Sequence, residues 1–68
     1  MTPAELRSAR HTLGLSVAQF ARLIGQNVTN VRRMEHPEWT NARPVARSTE
    51  RLVRAYLNGY RPEDWPTP

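Results

Sequence analysis

Residues 15–35 read LSVAQFARLIGQNVTNVRRME and predict two short helices joined by a tight turn. Ser16 begins a capping box, because a glutamine follows three residues later and the two side chains can satisfy the free N–H groups at a helix start. Gly25 is suited to end that helix, and Asn27 is a favoured N-cap for the next one. We therefore expect a short helix on each side of Gly25, the second over residues 28–35.

The rest of the chain predicts two further helices that would close the core. The opening TPAE is another capping box, with Thr2 as N-cap, and it predicts a helix from Pro3 to Leu13. Apolar residues recur at helical spacing from Val45 to Leu57, and Gly59 follows as a stop signal.

The resulting fold class is all-α, and no strand pattern or internal repeat is present. We expect a compact four-helix domain over residues 1–59 in which residues 16–35 form a helix-turn-helix. A Pro-rich C-terminal tail, residues 60–68, follows this domain.

The charge balance favours a nucleic-acid partner. The 68 residues carry a formal net charge of +4, all ten basic residues are arginine, and cysteine is absent. Arginine presents a planar fork of donors that suits phosphates and guanine edges. A genome rich in GC codons also favours arginine, so the choice of arginine over lysine has a second explanation, but the positive excess remains.

Other function classes find little support in the sequence. His11 and His36 are the only histidines, and no carboxylate cluster lies at ligand spacing near them, so we expect no metal, no cofactor and no enzymatic activity. No small-molecule ligand is evident. MTPAEL lacks the features of a signal peptide, and no apolar run approaches the roughly 18 residues of a membrane span, which predicts a cytoplasmic protein.

The helix over residues 28–35 divides into an apolar side and a polar side. Val31 and Met34 are expected to anchor it to the core. The other side offers the chemical groups that base edges in a major groove accept, and we predict it to read DNA bases. Its members are Val28, Thr29, Arg32 and Arg33. The alternative is that the two arginines are ordinary solvated surface residues.

From Leu6 to Leu57 the chain resembles the Cro/repressor-type (XRE) helix-turn-helix family. The resemblance rests on an arginine in the first helix, GLS before the second, ARLIG at its end and a glutamate closing the third. It implies a partly buried structural ion pair between Arg10 and Glu35. It also implies a set of DNA phosphate contacts: Ser16, Asn27, Asn30, His36 and Arg43.

Several positions depart from the family pattern. Val17 stands where glutamine is frequent, Gln26 replaces a buried aliphatic residue, the loop after residue 35 is longer, and the fifth helix is truncated to a turn around PEDW. Because many relatives dimerise through that region, the apolar residues near the C-terminal end are dimerisation candidates: Tyr56, Leu57, Tyr60 and Trp65. Trp65 has an alternative role, folding back onto the core, and we expect Trp39 to cover the core rather than to wedge into DNA.

These observations predict a sequence-specific regulator that binds double-stranded DNA, most simply a homodimeric repressor on an inverted-repeat operator. Short phage repressors and anti-CRISPR-associated regulators are similar in size and kind. Two alternatives stay open: a protein-interaction or antitoxin-type module that uses the same face, and an RNA-binding regulator.

Overall fold

The computed structural model describes residues 1–66, which form four α-helices and their connections. The helices span Pro3–Thr12 (α1), Val17–Leu23 (α2), Val28–Glu35 (α3) and Arg47–Leu57 (α4). This part of the chain is all-helical and has no strand, as the sequence predicted. Thr67 and Pro68, the end of the predicted tail, lie outside the described residues.

The first three helices begin at the predicted N-caps. The Thr2 side chain accepts the Glu5 N–H at 3.1 Å, and the Thr2 N–H donates to the Glu5 carboxylate at 2.8 Å. These bonds lower the pKa of the Glu5 carboxyl. Ser16 and Gln19 repeat the arrangement at 3.1 and 2.9 Å. The Asn27 side chain accepts the N–H three residues further on at 2.7 Å, so all three caps are confirmed.

The turn between α2 and α3 depends on Gly25. Its φ is +70°, and the following N–H, that of Gln26, donates to the Ala21 carbonyl at 2.9 Å. Any residue with a Cβ atom costs roughly 1–2 kcal/mol in this left-handed region, whereas glycine adopts it without that cost. Glycine therefore allows α2 to end within one residue. The turn after α1 uses Gly14, at φ +71°, in the same way. These two turns set the directions of α2 relative to its neighbours.

Each helix contributes one side chain that is fully buried. These are Leu6, Phe20, Val31 and Val53, in chain order. The remaining buried apolar residues surround them: Ala9, Leu15, Ala21, Leu23, Ile24, Met34 and Tyr56. The helices pack pairwise, α2 against α3 and α1 against both α3 and α4. A thin core of this kind matches the expectation for a chain of 68 residues.

Both ends of the predicted fourth helix need correction. α4 begins at Arg47, so Val45 packs against the core from the extended segment before the helix. Leu57, at the other end, is 42% exposed instead of lying on the inner stripe. The spacing of apolar residues indicates which side chains can be buried. It does not by itself determine whether the backbone at those positions is helical, so helix ends predicted from spacing are displaced by a few residues.

The C-terminal segment folds back as a turn. The Trp65 N–H donates to the Pro62 carbonyl at 3.0 Å, and the Trp65 ring meets the Tyr56 ring edge-on with centroids 5.2 Å apart. The Arg61 guanidinium lies 4.1 Å from the Trp65 ring centroid and donates to the Tyr56 carbonyl at 2.7 Å. Trp65 therefore packs onto the core, and this segment is a turn, as the sequence predicted.

A half-buried carboxylate joins the beginning of the chain to α4. Glu50 contacts the N-terminal ammonium of Met1 and accepts from Arg54 Nε at 3.0 Å. Hydrogen bonds from the ammonium and from Arg54 lower the pKa of the Glu50 carboxyl.

Within residues 1–66 no helix combines the length and the hydropathy needed to cross a membrane.

Candidate nucleic-acid interface

α3 has one buried side and one exposed side. Val31, Met34 and Glu35 are buried, whereas Thr29 and Arg32 are exposed. The positions buried at 31, 34 and 35 recur at the spacing of one helix face, so they fix the rotation of α3 about its axis. The predicted anchors, Val31 and Met34, are confirmed.

A bidentate ion pair holds the end of α3 to α1. Arg10 donates through Nε to one Glu35 carboxylate oxygen at 2.8 Å and through Nη2 to the other at 3.1 Å. The Arg10 and Glu35 side chains are 12% and 3% exposed. A third bond runs from Arg10 Nη1 to the Leu15 carbonyl at 3.1 Å. The predicted ion pair is therefore present, and it also fixes the turn that leads into α2.

Val28 does not lie on the exposed side of α3, contrary to the sequence prediction. It is half-buried and packs against the core. Val28 and Val31 are three residues apart, and that spacing brings two helical side chains onto the same face. The predicted grouping of Val28 with the exposed residues overlooked this geometry. Only the outer part of the Val28 side chain remains accessible.

Arg33 is half-buried instead of fully exposed. Its Nε is covered and has no hydrogen-bond partner within the described residues 1–66. The loop that follows α3 returns beside this residue, where the Arg43 N–H donates to the Arg33 carbonyl at 3.1 Å. The Arg33 side chain is thus partly enclosed by the protein, while Arg32 extends into solvent.

A row of polar side chains runs along one edge of α3. Asn30 donates to the Gln26 side chain at 3.1 Å and accepts from Arg43 at 3.4 Å. The row borders a cleft of about 340 Å³ lined by Gln26, Asn30, Met34, Arg43, Pro44, Ala46 and Thr49. The structure therefore brings together Asn30 and Arg43, two residues predicted to contact phosphates. Ser16 and Asn27 are exposed at the starts of α2 and α3, where their side-chain oxygens also serve as caps.

His36 and Trp39 form a stacked pair just beyond α3. Their rings are 4.4 Å apart and nearly parallel, at 5°, and Trp39 is 39% exposed. Arg7 approaches His36 Nδ1 at 3.4 Å, as does the Glu38 carboxylate. Trp39 is not one of the buried core residues, so the expectation that it covers the core is wrong. Its ring covers the imidazole instead.

The four dimerisation candidates divide into two pairs. Tyr56 is only 2% exposed, its hydroxyl donates to the Leu23 carbonyl at 2.9 Å, and burial raises its pKa. Trp65 is half-buried against it. These two rings pack against each other within the chain, which removes Tyr56 from the candidates for a surface contact. Leu57 and Tyr60 are 42% and 56% exposed.

The electrostatic character of the α2–α3 side follows from the positions of the carboxylates. Residues 6–34 contain no aspartate or glutamate, and the next acidic residue, Glu35, forms an ion pair with Arg10. Arg22 and Arg32 are exposed and form no ion pair with any part of residues 1–66. This side therefore carries unneutralised positive charge.

Two contributors to the site were not predicted from the sequence. Arg7 donates to the Glu35 carbonyl at 2.9 Å and so adds a second link between α1 and the end of α3. Gln26 orients Asn30. Arg7 stands three residues before Arg10, on the same face of α1, and that spacing was the available signal. No such signal existed for Gln26, because its partner depends on how the turn folds.

Comparisons with protein-family models, with curated proteins and with solved structures find no match to this chain. Among residues 1–66, no three histidine, cysteine, aspartate or glutamate side chains come close enough together to hold a metal ion.

Proposed function

We propose that the protein is a sequence-specific regulator that binds double-stranded DNA, with α2 and α3 as a Cro/repressor-type helix-turn-helix. The observation that carries the proposal is the division of α3 into two sides. Val31, Met34 and Glu35 hold one side in the interior, and Thr29 and Arg32 are exposed on the other. The exposed groups are a hydroxyl, a methyl and a guanidinium, which base edges in the major groove accept.

The dimensions of α3 suit this role. An α-helix with its side chains is about 10–12 Å across, which fits the roughly 12 Å width of the B-DNA major groove, and the eight residues of α3 extend about 12 Å along the helix axis. Asn27 caps one end of α3, and the Arg10–Glu35 pair fixes the other. A reading helix held at both ends loses little conformational freedom on binding, which favours affinity.

Residue roles follow from position along α3. We assign base reading to Thr29, Arg32 and Arg33, with Val28 limited to a methyl contact at the edge of the turn. Asn30 and Arg43, in the row beside the cleft, would contact one DNA strand at its phosphates. Ser16, Asn27 and His36 are the other proposed phosphate contacts.

A two-fold dimer completes the proposal. One helix of this length reads roughly four to five base pairs, so two copies are needed to define a site, with half-sites about 34–36 Å apart. Leu57 and Tyr60 are the exposed apolar residues that we assign to the contact between protomers. Such a protein would act on DNA in the cytoplasm, most simply as a repressor.

The decisive experiment is selection of random duplex DNA on the purified 68-residue chain, followed by sequencing. We expect enrichment of an inverted repeat. Arg32→Ala should lose the selected preference, whereas Arg54→Ala, which removes the same charge from the α1 side of α4, should keep it. Duplex pools that stay random after selection would contradict the proposal.

Salt titration separates this function from its rivals. A dimer that neutralises at least four phosphates should show a slope of log K against log salt steeper than about −3. A flat titration would favour the protein-interaction module. Stronger binding of an RNA hairpin than of the selected duplex would favour the RNA-binding regulator.

A further inference from the structure

The outward side of α4 carries a shallow groove of about 640 Å³ that no part of residues 1–66 fills. It is lined by Arg47, Ser48, Arg51, Leu52 and Ala55. The buried residues of α4 lie on another side of the helix, toward the core. All five lining residues belong to α4, so the groove runs along one helix and is open to a partner.

The charges beside the groove work against the stability of α4. Arg47 and Arg51 are exposed, lie one turn apart and form no ion pair within residues 1–66. Like charges at this spacing disfavour a helix, and positive charge in the first turn opposes the helix dipole. The only α4 carboxylate, that of Glu50, is engaged on the other flank by Arg54. Nothing in the fold requires cations on the outward side.

The floor of the groove is apolar. Leu52 and Ala55 are half-buried, and Leu52 packs against the core beneath it. The aliphatic stems of Arg47 and Arg51 add further carbon surface at the sides, while their guanidinium groups remain at the rim. An apolar floor with a cationic rim is complementary to an amphipathic helix that has carboxylates flanking its apolar stripe.

We propose that this groove docks an acidic amphipathic helix from another protein. A second copy of this chain fits poorly, because two-fold pairing through the groove would bring Arg47 and Arg51 of both copies together without a carboxylate between them. A DNA backbone would use the donors of Arg47 and Arg51 but would leave the apolar floor formed by Leu52 and Ala55 without a partner. The groove lies on α4 and not on α3, so docking leaves the proposed base-reading residues free.

The test is fluorescence anisotropy of the full chain with a labelled synthetic helix of leucine, alanine and glutamate. Leucine recurs at every third or fourth position of this probe, and glutamate flanks the stripe. Two changes to the groove are compared: the charge reversal Arg47→Glu with Arg51→Glu, and Ala55→Gln, which fills the floor. The matched control is Arg22→Glu with Arg32→Glu, which alters net charge equally on the other side of the molecule.

We expect each groove variant to weaken probe binding at least about tenfold, and the control to weaken it less than about threefold. The Arg47→Glu, Arg51→Glu variant should melt close to the native chain, because glutamate at position 47 is favoured in the first turn while like charges one turn apart are kept. Chemical-shift changes on adding probe should centre on α4. Selected-duplex binding should fall in the control variant and change little in the groove variants.

Three results would overturn this inference. Equal weakening of probe binding by both charge reversals would mean that the probe is attracted to the net positive charge of the protein and does not bind at the groove. Absence of probe binding would leave the groove without the proposed occupant. A loss of duplex binding in the groove variants as large as that in the control would make this surface part of a DNA interface.

Discussion

Removing the Glu35 carboxylate is the sharpest test of how α3 is held. Glu35 is 3% exposed and accepts two hydrogen bonds from Arg10, itself only 12% exposed. Deleting one partner of such a pair leaves a buried charge without compensation, at a cost of about 3–5 kcal/mol. A domain of 68 residues has a total stability of about 3–10 kcal/mol. Glu35→Ala should therefore remove about a third or more of the free energy of unfolding.

A graded series identifies the cause. Glu35→Gln keeps an acceptor for Arg10 but loses the charge, so it should cost less than Glu35→Ala. Replacing the pair by Arg10→Met and Glu35→Leu removes both charges, and its cost should fall below the sum of the two single changes. Arg10→Met also loses the hydrogen bond to the Leu15 carbonyl, so the double variant should still have a lower free energy of unfolding than the native chain.

The assay is urea unfolding followed by far-ultraviolet circular dichroism, with the free energy of unfolding extrapolated to water. Arg54→Ala, which breaks an exposed pair with Glu50, is the control and should cost no more than about 1 kcal/mol. If Glu35→Ala also costs no more than about 1 kcal/mol, the pair does not hold α3 and the reasoning fails.

Three further outcomes are expected. Tyr56→Phe should lower the free energy of unfolding by about 1–2 kcal/mol in urea, because the Leu23 carbonyl loses its donor; no change would mean that water replaces the hydroxyl. Burial raises the pKa of Tyr56 in the folded state, so above the unfolded value of 10.0 the unfolded chain ionises first and the free energy of unfolding falls as the pH rises. Tyr56→Phe should make this decline with pH less steep. A decline as steep as that of the native chain would exclude Tyr56 as its cause. Arg33→Ala should cost about 1–3 kcal/mol on the selected duplex and relax its sequence preference, whereas Arg43→Ala should weaken all duplexes alike; identical behaviour would refute the separation of base reading from phosphate contact.

Local signals in the sequence were sufficient for the first three helices and their starts. Thr2, Ser16 and Asn27 cap helices as predicted, because a capping bond joins groups only three residues apart. Gly25 ends α2 for an equally local reason, its φ of +70°. The Arg10–Glu35 pair is a long-range contact, and its prediction came from the family resemblance and not from local spacing.

Side-chain surroundings were not determined in the same way. The sequence alone established an arginine-rich chain with an all-helical pattern and a carboxylate-free stretch over residues 6–34. It could not show that Trp39 would stack on His36, or that Trp65 would cover Tyr56 and withdraw it from the surface. Each of these outcomes depends on which surfaces meet after the chain turns back on itself. Capping and periodicity act within one helical turn, whereas burial is a property of the whole packed arrangement, and only the tertiary structure decides it.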